Sequence, residues 1–283
     1  MMASFTAGKR LVHKTLFALG LELRRVKPPT GSESAQFSFC GEEAIIQELL
    51  GKIKWEHRFA VDIGAGDGEY MSNSYKLFSS GWQGVGVEWN GRQFAKLAYR
   101  YASLSDVCLL RARVTPDNVL SLLAACDAPK KFGFLSLDID SYDYFVLEKL
   151  LTEYRPSLIC AEINEKIPPP LRFTAKWAPD GVWGKDHFYG QSLSMLEELA
   201  ERNSYDLIRL EYNNAFIIPR EINPVPAISA AEAWRTGYVD RKDRVERFPW
   251  NVDMETLIDL PVAESKGLLR DKFKRYEGQF ILE

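Results

Sequence analysis

The feature that most limits what this chain can fold into is FAVDIGAGDGEY, residues 59–70. An apolar run ends in Asp62 and breaks at once into glycines at 64, 66 and 68, ahead of a segment with helical character. A short apolar run of this kind suits a strand buried on both faces. Glycines let the backbone turn tightly and lie close to a ligand. Strand, turn and helix in that order deliver the ligand to the carboxyl edge of a parallel sheet. The spacing is GxGxG, whereas a dinucleotide fingerprint wants GxGxxG. A second apolar run, GVGVEWN, ends in the acid Glu88. An ionised carboxylate there can accept two donors at once, such as the two hydroxyls of a ribose.

The alternation continues. Strands are expected at 58–63, 84–88, 107–114, 132–138 and 157–162, and helices at 42–52, 70–79, 92–102, 116–125 and 144–152. Strands alternating with helices imply a parallel sheet wound on both faces. After residue 162 the rhythm breaks. Residues 167–189, rich in proline, glycine and aromatics, read as a long ordered loop of the kind that often serves as a lid. A helix over 191–202 follows. Strands at 205–211 and 215–219, separated by the turn residues Tyr212, Asn213 and Asn214, read as an antiparallel edge hairpin. Residues 221–283 read as a polar, mostly helical cap or tail.

VDIGAGDG followed by GVGVE resembles motifs I and II of class I S-adenosylmethionine-dependent methyltransferases. That resemblance covers about residues 58–220. It implies a Rossmann-like α/β fold, a seven-stranded mostly parallel sheet, with helical N- and C-terminal additions. It places Asp62, Gly64, Gly66 and Asp67 around the methionine side of S-adenosylmethionine, Glu88 on the ribose and Trp89 beside the adenine. Arg113, opening the segment 113–118, stands where the next adenine-contacting loop falls, although that stretch lacks the usual acid. The competing readings are a nicotinamide-dependent oxidoreductase and a non-catalytic scaffold of the same fold.

A second constellation follows strand four. FGFLSLDIDSYDYFVLEKL puts Asp138, Asp140 and Asp143 at one strand end, and RPSLICAEIN puts Glu162 and Asn164 at the next. Neighbouring parallel strands end side by side, so these oxygens should converge. Grouped carboxylates repel unless a cation or proton compensates, and a hard divalent ion such as Mg²⁺ is one compensation. The LxLDxDxYD run resembles macrolide-sugar O-methyltransferases and FkbM-type methyltransferases. By that resemblance Asp138 and Glu162 are metal ligands, and Asn164 stands in for a second acid that would otherwise fall on Ile163. A metal-free polar acceptor site and simple capping of the next helix by Asp140 and Asp143 are the alternatives.

His187, in KDHFYG, is either a general base for a hydroxyl proton or a loop histidine with a structural hydrogen bond. Asp186 and Tyr189 are similar candidates. Phe173, Trp177, Trp183, Phe188 and Tyr189 either stack on a sugar or flat acceptor or anchor the loop. The acceptor expected is a sugar hydroxyl or another small-molecule group.

The rest narrows the class. In 283 residues, hydrophobic residues make up 46% and charged ones 27%, and the net charge is −3. There is no global basic excess, so nucleic acid is not an expected partner. Four scattered cysteines, without a CxxC pair, argue for neither a zinc site nor a disulfide framework, and a cytoplasmic setting is expected. Residues 1–30 form a basic amphipathic helix by pattern. Such a helix either contacts an anionic membrane periphery or partner, or packs on its own domain. The methyltransferase domain is expected over 40–220, and homo-oligomerisation stays open.

Overall fold

In the computed structural model, residues 36–179, 181 and 184–283 are described. The expected helix over 1–30 and Trp183 lie outside these residues. Five parallel strands open the sheet: β1 (Phe59–Ile63), β2 (Gln83–Val87), β3 (Val107–Leu110), β4 (Lys131–Leu137) and β5 (Arg155–Glu162). A short β6 (Phe173–Ala175) stands apart, and β7 (Tyr205–Glu211) and β8 (Asn214–Pro219) form the hairpin. The seven-stranded order is β3-β2-β1-β4-β5-β8-β7. The reversed strand is β8, inserted between β5 and the edge strand β7. This is the Rossmann-like fold of class I methyltransferases, with its order reversal between β1 and β4.

Burial explains why these segments are strands. All five residues of β1 are buried. Phe59, Val61 and Ile63 enter one hydrophobic cluster, and Ala60 enters the cluster on the opposite face. That is the period of two of a strand covered on both sides. The helices are α1 (Glu42–Lys52), α2 (Tyr75–Ser79), α3 (Gly91–Arg100), α4 (Val119–Ala125), α5 (Asp143–Leu150) and α6 (Leu193–Arg202), followed by α7 (Ala230–Trp234), α8 (Arg244–Arg247) and α9 (Val262–Lys272).

Three expectations change. The helix expected over 70–79 begins only at Tyr75, because Ser72 Oγ accepts from the backbone N–H groups of Ser74 and Tyr75 and holds the chain outside the helix. The strand expected over 107–114 ends at Leu110. Arg111 to Val114 alternate polar and apolar residues as a strand would, but they leave the sheet, and Ala112, Arg113 and Val114 enter a cavity wall. The loop 167–189 contains β6, which pairs antiparallel with β9 (Phe280–Leu282) at the far end of the chain. The tail is therefore more than a polar cap. Met254, Leu257, Leu269, Phe273 and Leu282 pack with Ile167, Leu171 and Phe173 into a third hydrophobic cluster that fixes the stem of the loop. Among the described residues no helix is long and apolar enough to cross a membrane.

Candidate functional site

Two cavities lie at the carboxyl ends of the central strands. The first, about 420 Å³, is lined by Gly64 and Gly66, by Glu88, Trp89 and Asn90, by Ala112 to Val114, and by Asp138 to Tyr142. Gly64 sits at φ +93°, and a Cβ there would come within 1.7 Å of the Asp138 carbonyl oxygen. Only glycine lets β1 and β4 approach so closely at the switch point. Glu88 is fixed by the backbone. Its Oε2 accepts from Gly66 N–H at 2.9 Å and its Oε1 from Asn90 N–H at 2.5 Å. Each oxygen keeps a second lone pair for a donor within the cavity. Trp89, in the same wall, remains 55% exposed, so its indole surface is available for stacking.

Arg113 also lines this cavity, but its guanidinium is committed. It donates to Tyr142 Oη at 3.1 Å and to the carbonyls of Pro179 and Gly181, and lies over the rings of Tyr142 and Trp177. Arg113 thus clasps the loop over the cleft. Asp62 and Asp67, expected around the methionine side of the cofactor, do not line the first cavity. Asp62 accepts from Ser74 Oγ, and burial pushes its carboxyl up to about 6. Asp67 accepts from the N–H groups of Glu69 and Tyr70 and pairs with Arg100 at 2.6 Å, bracing the turn from behind.

The second cavity, about 930 Å³, shares Asp138, Asp140 and Lys185 with the first. Glu162, Lys166, His187, Tyr189, Asn213 and Asn214 add its polar wall, and Phe248 to Trp250 close one side. Asp138, Asp140 and Glu162 each place a carboxylate oxygen within 4.8 Å of the others. Burial raises the affinities of Asp138 and Glu162 for protons well above the ordinary carboxylate range, and their acidic neighbours add to it. Asp138 and Asp140 still keep some surface open to the cavities. Glu162 Oε1 accepts from Asn213 Nδ2 at 3.0 Å, while the buried Oε2 has no hydrogen-bond partner among the described residues. Three clustered carboxylates with an orphaned oxygen fit a hard divalent cation such as Mg²⁺.

The other acids and amides divide differently from expectation. Asp143 accepts from the N–H groups of Ile139 and Ser141, so it shapes the turn before α5 as a capping acid would. Asp140, at φ +55°, joins the cluster instead. The amide of Asn164 donates to the carbonyls of His187 and Tyr189 and so fixes the loop. Its NH2 group thus positions the loop, while its buried Oδ1, the atom through which an asparagine would hold a cation, has no hydrogen-bond partner among the described residues.

His187 lines the second cavity, and its Nε2 lies 3.0 Å from Asp253 Oδ1. Asp253 is itself paired with Lys272 at 2.5 Å. Burial, followed by the charge of Lys166, lowers the histidine's proton affinity below its usual value. The ring is therefore neutral at neutral pH. Of the expected aromatics, Tyr189 enters the cavity wall, Trp177 packs on Tyr142, and Phe173 and Phe188 anchor the loop to the tail.

Sequence reasoning missed Lys166, Lys185, Glu42 and the segment 246–250. Lys166 is 3% exposed, donates to Tyr189 Oη at 2.7 Å and lies 3.1 Å from Glu165 Oε1. A usable signal existed, since a charged residue four positions past the end of a buried strand stands near the ligand-binding edge of an open sheet. Residues 246–250 carry no such signal, because only the packing of the tail brings them there.

No family model matches the chain, and no curated protein does. Among solved structures, the N-terminal domain of EvdMO1 with SAH bound is 10% identical with a TM-score of 0.44, the match covering 75% of this chain and 96% of that one. Magnesium protoporphyrin IX methyltransferase (ChlM) from Synechocystis PCC 6803, also with SAH bound, is 10% identical over 63% of this chain and 81% of that one, with a TM-score of 0.41. Monomeric WbdD is 14% identical, covering 73% of this chain and 48% of that one, with a TM-score of 0.40. The fold assignment rests on the chain's own strand order rather than on these likenesses.

Proposed function

We propose that the chain is an S-adenosylmethionine-dependent O-methyltransferase acting on a sugar hydroxyl of a glycan or glycosylated metabolite. The observation that carries this reading is the meeting of two cavities at Asp138 and Asp140. One has the glycine-rich turn and the fixed Glu88 that a ribosyl ligand wants, and the other is acidic and large enough for a second substrate. The sulfonium of the cofactor supplies the methyl group. The protein's work is alignment of acceptor, methyl and sulfur.

In this reading Glu88 holds the ribose and Trp89 stacks on the adenine. Asp138, Asp140 and Glu162 hold the acceptor diol, directly or with a divalent cation. Such a cation would supply Lewis acidity that favours loss of the hydroxyl proton. His187, neutral at neutral pH, can take that proton, with Asp253 orienting the ring. A sugar acceptor is favoured by the aromatic wall of the second cavity, where Tyr70 is 73% and Trp250 58% exposed. Exposed rings beside carboxylates suit a ligand with hydroxyl edges and apolar C–H faces. The resemblance of LxLDxDxYD to sugar O-methyltransferases points the same way.

A metal-free version draws on Lys166 and Lys185, which line the same cavity and offer ammonium groups to offset the acids. Calorimetric titration with S-adenosylmethionine and its demethylated product, followed by transfer of labelled methyl to sugar acceptors with and without chelator, tests the proposal. Micromolar binding and labelled ether product are expected. Absence of binding by folded protein in the presence of Mg²⁺ refutes the enzyme reading. Full activity in chelator selects the lysine-compensated site.

A further inference from the structure

Cys108 lies exposed on the edge strand β3, and Cys126 lies half-buried as the residue ending α4. Their sulfurs are 2.8 Å apart. Non-bonded heavy atoms rest at about 3.5–4.0 Å, and a disulfide bond measures about 2.05 Å. The two thiols are thus already closer than ordinary packing contact. Neither cysteine lines either of the two cavities described above, so the pair lies outside that site.

We propose that Cys108 and Cys126 are a modification site, a thiol pair that a small-molecule disulfide such as oxidised glutathione converts into an intrachain disulfide. The chemistry balances without a further reactant. The Cys108 thiolate attacks the small disulfide, forms a mixed disulfide and releases one thiol. Cys126, losing its proton, attacks the Cys108 sulfur and releases the second. Two protein thiols are oxidised, and one small-molecule disulfide is reduced to two thiols.

Exposure decides the order, since Cys108 is the sulfur the reagent can reach. Burial and the neighbouring Cys108 sulfur push Cys126 up to about 12, so it is the slower thiol toward an outside reagent, and it acts in the second step because its sulfur already lies against that of Cys108. The other cysteines are poorly placed. Cys160 is buried, and among the described residues neither Cys160 nor Cys40 has a second cysteine sulfur beside it.

The bridge would join β3 to the end of α4 and close a loop containing Ala112, Arg113 and Val114, which line the first cavity. Closing a loop of that length constrains the unfolded chain, and a rise in melting temperature of about 5 °C is expected.

The test treats the full-length reduced protein with oxidised glutathione and maps its peptides by mass spectrometry. The expected product has lost two hydrogens, retains no glutathione and links the peptides of Cys108 and Cys126. Dithiothreitol should reverse both the link and the thermal shift. Cys126→Ser should stop at a glutathione adduct on Cys108. Wild-type protein that also stops at that adduct, or that leaves both thiols reduced, overturns the proposal.

Discussion

The cavity at the glycine-rich turn and the acidic cavity beside it differ in how they are walled. The first uses runs of neighbouring residues: Gly64 with Gly66, Val87 to Asn90, Ala112 to Val114 and Asp138 to Tyr142. Each run lies at or just past the end of a parallel strand, so the sheet positions most of this wall, and Gly181 and Lys185 of the loop complete it. The second gathers side chains from Phe39 to Trp250. Its geometry depends on the tail packing against the stem of the 167–189 loop and on hydrogen bonds such as those of Asn164. A cleft built on strand ends tolerates distant change, whereas a pocket assembled from remote segments fails when any of its supports moves.

That contrast can be broken by substitution. The largest effect is expected for Gly64→Ala. Its methyl group would overlap the Asp138 carbonyl, and the backbone is at positive φ. S-Adenosylmethionine affinity should fall about 100-fold or more, with about 3 kcal/mol of stability lost, read by calorimetry and denaturant melts. A tolerated alanine would show that the two strand ends are free to part. Next, Glu162→Gln should lower methyl transfer about 100-fold while leaving cofactor affinity within about threefold. Equal loss of both would mean that the two cavities are not separable.

The pH dependence separates the buried acids from the rest. Asp62 is pushed from 3.8 to about 6 by burial, so the folded protein retains a proton that the unfolded chain gives up. Stability should therefore fall as pH rises from about 4 to 6, by about 3 kcal/mol for this group. The decline should become shallower in Asp62→Asn, with Asp138, Asp140 and Glu162, also raised by burial, carrying the remainder. An unchanged slope in that variant would assign the dependence to other acids.

Smaller effects sharpen the picture of each cavity. Glu88→Ala should weaken the cofactor by about 10- to 30-fold, the loss of hydrogen bonds to a charged acceptor, and unchanged affinity would remove the ribose role. Trp250→Ala should raise the acceptor KM about fivefold with little change in kcat, as expected for lost stacking. A change in kcat alone would place Trp250 nearer the reacting atoms.

The sequence determined the parts whose information is local. The alternation of apolar strands and helices, the glycine turn after β1, Glu88 after β2 and the acids after β4 are all written within short windows. Strand ends then follow from parallel pairing. Tertiary structure alone decided how side chains shared the work. Asp67 faces Arg100, Arg113 clasps a loop, Asn164 turns its amide to two carbonyls, and Trp250 enters a cavity that its local sequence does not announce. The physical reason is range. Periodicity and turn chemistry act over a few residues, whereas the direction of a buried polar side chain is set by whichever partners packing brings within hydrogen-bond distance.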